Sequence, residues 1–438
     1  MDIDQTTLND LSIFNQEEEF SLFNKLNLTL TTGGKLQMRH NLSTPLNSIE
    51  SIQGVQQTLQ HIIKHQQDWP VRISNGTIMV VERFYDATLD EIPSSPSAAS
   101  ALSYKIFHGP DFSLVKYSTI HCFDFIKGMQ QFVNRFLTDD APPLLQKHLQ
   151  EVKAITDNTQ LAIVQTHERA GDLTIGQQLQ LAHFLRYRYK QNILHLIGLY
   201  CQLDAWYGMA LAVKQYGLVF PQFIQSYKPV MQVRGLFHLL LPHPVAYDVA
   251  LDANANFIFL TGANMAGKST FIKSVGSAVF LAHTGMGVPA THMELSLFDG
   301  LLTNINVVDN ISKGESYFYN EVQRIKSTVT KVNDGKKWLI LIDELFKGTN
   351  IQDAMKCSST VIEGLLKVSN SLFVLSTHLY EIGEDLKQYP NISFKYFETA
   401  VAGDALQFSY QLKDGISNDR LGYLILKKEG VVDLLRNL

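Results

Sequence analysis

The chain has 438 residues, of which 45% are hydrophobic and 18% charged, and its net charge is -5. That length allows two or three domains with cores of their own, and the composition is that of a globular protein rather than a disordered or collagen-like one. The mild negative charge argues against a uniformly basic, nucleic-acid-coating protein, while a local basic surface stays open.

The first fifty residues carry short helical patterns. Leu8, Leu11 and Ile13 make one small apolar face, and Phe20, Phe23, Leu26, Leu28 and Leu30 make another. Glu17-Glu18-Glu19 suits a helix start, where acidic groups face the positive end of the dipole. The acidic N-terminus lacks an apolar leader core, and no apolar run reaches spanning length, so a cytoplasmic protein with no membrane contact is expected. The 3.6-residue spacing of Ile49, Ile52, Val55, Leu59 and Ile62 predicts a long helix. Ile92-Pro93-Ser94-Ser95-Pro96-Ser97-Ala98 reads as a linker. Helical signal then dominates from Phe123 to Tyr216. Phe184, Tyr187, Tyr189, Tyr200, Trp206 and Tyr207 suit a helical core by their spacing, with a base-stacking platform as the other reading. Cys122, Cys201 and Cys357 form no metal-spaced pair and read as reduced thiols.

Near residue 228 the pattern changes to strand, loop and helix in alternation, which implies a parallel sheet. The expected fold class is therefore α plus α/β, with an all-helical domain over 1–228 and a P-loop α/β domain of the ABC type over 229–438. Phe257-Ile258-Phe259-Leu260 is a buried-strand run. It leads into Gly262-Ala263-Asn264-Met265-Ala266-Gly267-Lys268-Ser269-Thr270 and then into an apolar helix. A strand, a glycine loop ending in Gly-Lys-Ser and a helix start together make a phosphate cradle. In it Lys268 reaches the β- and γ-phosphates of ATP, and Ser269 reaches Mg²⁺.

Lys337-Trp338-Leu339-Ile340-Leu341-Ile342-Asp343-Glu344 is a second buried strand ending in paired acids. Asp343 suits Mg²⁺ and Glu344 suits activation of water. A third such strand delivers His378 after Ser376-Thr377, either to sense the γ-phosphate or as a capping histidine. Lys313-Gly314-Glu315-Ser316 precedes a helix near Tyr319. It reads either as an ordinary cap or as a second anion site that meets a partner's nucleotide.

Together these elements resemble the ATPase domain of the MutS DNA mismatch-repair family, most specifically in Asn264-Met265 within the loop. Val288-Pro289-Ala290, Asp343-Glu344-Leu345, Gly348-Thr349 and Ser376-Thr377-His378 follow in family order. His243-Pro244-Val245, Leu8-Asn9-Asp10-Leu11 and Thr44-Pro45-Leu46 extend the likeness to the family's core and lever region. The resemblance implies a Mg²⁺-dependent ATPase whose sites are composite across a homodimer, with Ser316 reaching the partner's γ-phosphate. It implies Asn264 on the phosphates and an aromatic stacked on adenine. Tyr247 is the residue placed for that stacking, or else a plain strand residue.

Three departures qualify the likeness. No Phe-x-Glu wedge occurs in the chain, Lys313 and Glu315 alter the signature, and Phe346-Lys347 replaces Gly-Arg. The expectation is a DNA-associated ATPase related to mismatch repair, without its own mismatch reader and with a repair protein as a further partner. The alternative is an ATP-gated dimerising module that acts on a protein. A transporter ATPase subunit fits least, since the Leu-Ser-Gly-Gly-Gln signature is absent.

Overall fold

The apolar runs after residue 256 become strands buried on both faces, as unbroken aliphatic and aromatic segments require. The computed structural model describes residues 1–306, 317–402, 405–417 and 430–436, so the signature Lys313-Gly314-Glu315-Ser316 lies outside the described residues. In chain order the strands are β1 (Asp2–Ile3), β2 (Gln222–Ile224), β3 (Met231–Leu236), β4 (Tyr247–Leu251), β5 (Phe257–Thr261) and β6 (His292–Ser296). They continue with β7 (Gly300–Asn304), β8 (Trp338–Asp343), β9 (Ser371–Ser376), β10 (Ile392–Ala402) and β11 (Ala405–Asp414). A seven-stranded sheet runs β1-β7-β8-β9-β5-β10-β11, and a four-stranded one runs β2-β6-β3-β4. The larger sheet is parallel except for the final β10–β11 pair.

The chain divides into two compact units. One comprises Met1–Lys25, Thr44–Ile52 and Gln215–Leu438; the other comprises Leu26–Ser43 and Gln53–Lys214. This partition differs from a single cut near residue 228, because the first residues join the sheet. Asp2 and Ile3 pair with Gly300 and Leu301. Buried Asp10, at the end of helix Gln5–Asp10, accepts from the Thr303 hydroxyl at 2.6 Å and the Ile305 amide at 3.1 Å. A two-residue strand leaves no period to read, which is why the sequence suggests only short helices there.

In the sheet unit, β5, β8 and β9 are buried at every position. Helix Lys268–His283 is buried around most of its girth, through Phe271, Ile272, Val275, Val279 and Phe280, as suits a helix apolar on all sides. Phe257 stacks on Phe373 at 5.6 Å across β5 and β9. Truncating a buried phenylalanine of this kind to alanine costs about 3–5 kcal/mol.

The helical unit is built on Gly109–Phe136 and Lys190–Gln215. By length and composition the second is apolar enough to cross a membrane, which the sequence reading did not anticipate. Yet 72% of its apolar window is buried, as in the central helix of a folded core. A π-helical turn, Phe184–Arg188, precedes it. Tyr200 and Trp206 are buried, Phe184 stacks on Tyr189 at 4.8 Å, and Tyr207 stacks on Trp69 at 4.2 Å. Five of the six aromatics are buried or half-buried in the helical core, and Tyr187 is exposed.

Buried Asp204 accepts from the amides of Leu30 and Thr31, each at 2.8 Å, and from the Thr31 hydroxyl at 2.6 Å. It thereby ties down the start of helix Thr32–Ser43. Gly34 makes that approach possible, since a Cβ there would lie 2.0 Å from an Asp204 carboxylate oxygen. Among the basic residues of the helical unit, Arg186 is spent on the carbonyls of Phe84 and Ala87. Lys190 lies 5.5 Å over the Tyr85 ring, while Lys147 and Arg188 are exposed.

Candidate active site

Register sets the site before any side chain is considered. In the parallel sheet Leu260 pairs with Ser376 and Ser376 with Asp343. The carboxyl ends of β5, β8 and β9 therefore stand side by side, the edge at which open α/β sheets bind ligands. The loop after β5 is shaped by Gly262 and Gly267 at φ 140° and 110°, values that side-chain-bearing residues rarely adopt. Helix Lys268–His283 begins directly after it, so its free amides face the loop.

A cavity of about 670 Å³ opens there. Asn264, Met265, Gly267, Lys268, Ser269 and Thr270 line one side, with Tyr247, Glu344, Lys347 and Tyr410 around the rest. Gly262, Ala263 and Ala266 are buried and form the loop's floor, while Asn264 and Met265 are exposed on its rim. Met265, Glu344 and Tyr410 all have positive φ, at 71°, 62° and 53°. Strained backbone of this kind persists where the surroundings hold it and gathers at functional sites.

The charges are tightly organised. The buried Lys268 ammonium donates to the carbonyls of Gly262 at 2.8 Å and Ala263 at 3.1 Å, and lies 3.7 Å from Glu344. Burial pulls its pKa down, against the opposing pull of Glu344 and Asp343. Ser269 Oγ donates to Asp343 Oδ2 at 2.5 Å, and Ser376 Oγ donates to Asp343 Oδ1. Glu344 is held by Lys347 at 3.2 Å and faces His378 Nδ1 at 3.7 Å, an ion-pair separation rather than a hydrogen bond. Burial alone would push the Glu344 carboxyl up. The nearby His378, Lys347 and Lys268 outweigh that and hold it down at about 2.

The structure thus brings together Lys268, Ser269, Asp343, Glu344 and His378, the last half-exposed and reaching the cavity through Glu344. Tyr247 lines the cavity, yet its ring is clamped edge-on between Phe271 at 5.4 Å and Phe397 at 5.7 Å. The freer aromatic is Tyr410, on the β10–β11 hairpin. Sequence reasoning missed Tyr410, because nothing local in Phe408-Ser409-Tyr410 marks it. It also missed the roles of Ser376 and Glu321. Ser376 was legible in principle, as a hydroxyl ending a buried strand beside Asp343. Glu321 is buried and accepts the amides of Lys347 at 3.2 Å and Gly348 at 3.3 Å, fixing the turn that presents Lys347.

The donor set fits a magnesium nucleotide. Hard oxygens of Ser269 and Asp343 suit Mg²⁺, and the loop amides with Lys268 suit phosphates. The two Lys268 hydrogen bonds at 2.8 and 3.1 Å go to carbonyls of its own loop, and its remaining side faces Glu344, where an anion can enter.

Comparison with known proteins points the same way. Residues 258–433 match the family MutS domain V. The DNA mismatch repair protein MutS of Petrotoga mobilis is 28% identical over 252 residues, covering 56% of this chain and 30% of that protein. The MutS of Pseudothermotoga lettingae is 28% identical over 301 residues, covering 67% of this chain and 34% of that one. That of Thermotoga maritima is 27% identical over 254 residues, covering 57% and 31%. The matches span about a third of the length of these relatives.

Proposed function

The chain belongs to the MutS family through its domain V, and from that footing we propose that it is a Mg²⁺-dependent ATPase coupled to DNA in a mismatch-repair-related role. The observation that carries the proposal is the convergence of Lys268, the Ser269–Asp343 pair and Glu344 on one cavity at the ends of β5, β8 and β9. No mismatch reading is assigned to the described residues.

In this reading Gly262 to Thr270 cradle the phosphates, with Asn264 beside them and Tyr247 at the base's side of the cavity. Ser269 and Asp343 hold Mg²⁺, which supplies charge neutralisation on the phosphate oxygens. The Lys268 ammonium has three donors, two of them on the Gly262 and Ala263 carbonyls, which leaves the third, now facing Glu344 at 3.7 Å, for a phosphate. An anion there shares the ammonium's charge and so weakens its hold on Glu344. That carboxylate, weakly basic at a pKa near 2, then becomes a better acceptor for a proton from water. Hydrolytic competence is thereby tied to occupancy of the loop. His378 and Lys347 orient Glu344 from its other oxygen. Ser316 completes the site of a second copy across a homodimer. The helical residues serve as core and lever, and ATP turnover shifts the population of two arrangements of that lever. A repair-protein partner and a cytoplasmic setting belong to the same proposal.

A second reading, an ATP-gated module acting on a protein, is favoured by the net charge of -5. The internal commitment of Arg186 points the same way. One experiment separates the two readings: the ATPase rate of wild type and Glu344→Gln, with homoduplex, mismatched and branched DNA at two salt concentrations. Stimulation by DNA that fades with salt and is lost in Glu344→Gln is expected, since backbone contacts are salt-sensitive. Hydrolysis indifferent to every DNA overturns the DNA coupling and leaves the protein-directed module.

A further inference from the structure

Two histidines are buried among the described residues, His61 and His283, and the second is visibly satisfied, as is half-buried His148. His283 pairs Nδ1 with the Val279 carbonyl at 2.9 Å and accepts the Phe298 amide on Nε2 at 3.0 Å. His148 meets the Leu199 carbonyl at 2.9 Å. His61 is different. It is 7% exposed, and its contacts among the described residues are to rings, His65 at 4.6 Å and Phe136 at 6.3 Å. One helical turn further on, His65 also has its Nε2 buried without a hydrogen-bond partner. The two imidazoles stand one turn apart on the same helix face, and the partnerless Nε2 of His65 is costly to bury unless something uses it.

Asp140 completes the group. It stands in the turn between helices Gly109–Phe136 and Pro143–Thr156. One nitrogen from each histidine and an Asp140 oxygen all lie within 4.8 Å of one another. Asp140 Oδ1 takes the Thr138 hydroxyl at 2.7 Å, while Oδ2 already holds a cation, the Lys64 ammonium at 3.1 Å. His65 Nδ1 faces Asp68 at 3.7 Å. A carboxylate behind a ligating imidazole favours the tautomer that leaves Nε2 free to bind.

We propose that His61, His65 and Asp140 bind one divalent transition-metal ion of the zinc type, with water in the remaining position. Two imidazoles and a carboxylate suit zinc and its neighbours rather than Mg²⁺, which prefers oxygen alone. The site is therefore chemically separate from the nucleotide cavity, and the proposal does not rest on the ATPase reading. Bonds of about 2.0–2.1 Å place tetrahedral ligands roughly 3.3 Å apart, so the cluster closes by an ångström or so on binding. The Asp140 side chain, 55% exposed, supplies that movement, and Lys64 is the cation displaced. The ion would staple the end of helix Ile49–Lys64 to the turn after Phe136, closing a long loop within the helical unit.

The test uses the full chain, stripped with chelator and free of nucleotide. It is titrated with Co²⁺ followed by visible absorption, and with Zn²⁺ by calorimetry. Wild type should take up one tight equivalent with the intense visible bands of four-coordinate Co²⁺. His65→Ala and Asp140→Asn change partly exposed residues and should fold normally by circular dichroism. Each should weaken that equivalent by more than about a hundredfold, beyond what loss of an outer-shell group costs. Lys64→Ala should tighten it several-fold, an effect that a purely packing role of these residues does not produce. Metal uptake unchanged in His65→Ala and Asp140→Asn, or no saturable uptake in wild type, overturns the proposal.

Discussion

Two buried acidic sites in this protein teach opposite lessons. Asp204, in the helical unit, is held by two backbone amides and a hydroxyl of its own chain. Among the described residues, the carboxylates of Asp343 and its neighbour Glu344, at the edge of the large sheet, are held by side chains: two hydroxyls, two ammonium groups and an imidazole. Backbone donors are fixed by the fold and cannot be reassigned. Side-chain donors can rotate away and serve a ligand instead. The first arrangement builds structure, and the second stores interactions that a substrate can claim.

The sharpest way to break that contrast is Glu344→Gln. General-base loss of this kind lowers hydrolysis by about 10²–10⁴-fold, and steady-state ATPase assays should show it. Nucleotide binding should persist, because Lys268, Ser269 and Asp343 remain. If turnover falls by less than tenfold, Glu344 does not activate water. Next in size is Asp204→Ala, which leaves buried donors unsatisfied. It should cost roughly 3 kcal/mol in denaturant unfolding and leave activity per folded molecule unchanged. A stability loss below 1 kcal/mol would show that Asp204 is not a structural clasp.

The same two residues should respond to acid with opposite signs. Glu344 is depressed from 4.5 to about 2. It therefore contributes stability that is fully present above pH 4.5 and lost as pH falls toward 2. Asp204 is raised above 3.8 by burial, so its ionisation costs stability as pH rises through and above that value. Unfolding midpoints of wild type, Glu344→Gln and Asp204→Asn between pH 2 and 7 resolve the two. Removing Glu344 should flatten the acid limb, and removing Asp204 should steepen it. The smallest effect belongs to Tyr247→Phe. With the ring clamped by Phe271 and Phe397, nucleotide affinity should change by less than about threefold, equivalent to under 1 kcal/mol. A larger loss would mean that the hydroxyl contacts the ligand.

Much of the candidate site's geometry was legible because its parts are local. A glycine loop, a strand ending in Asp343-Glu344 and a strand ending in Ser376-Thr377-His378 each announce themselves within ten residues. The convergence of their ends also follows from parallel order. Tyr410 and Glu321 were not legible, since their roles arise from pairings across the sheet or between a helix and a distant turn. The attachment of Asp2–Ile3 to β7 was hidden for a different reason: two residues carry no periodicity. The helical unit showed its apolar spacing plainly, and its aromatics other than exposed Tyr187 proved to be buried or half-buried. What held those helices together was not visible, because Asp204 and Thr31 are separated by more than 170 positions. Lys347 shows both limits at once. It stands out in the sequence as an unusual residue, but its hold on Glu344 emerges only from the turn that Glu321 fixes.

Gly34 carries a practical consequence for genetic screens. Any side chain there would drive a Cβ to within 2.0 Å of the Asp204 carboxylate, so a saturation library should lose every substitution at that codon. The depletion would look as severe as that at Lys268 or Glu344. Yet a Gly34 variant should vanish from the soluble fraction, whereas Glu344→Gln should accumulate to normal levels and fail only in turnover. Scoring abundance beside activity for each variant would separate the two kinds of intolerance in a single experiment.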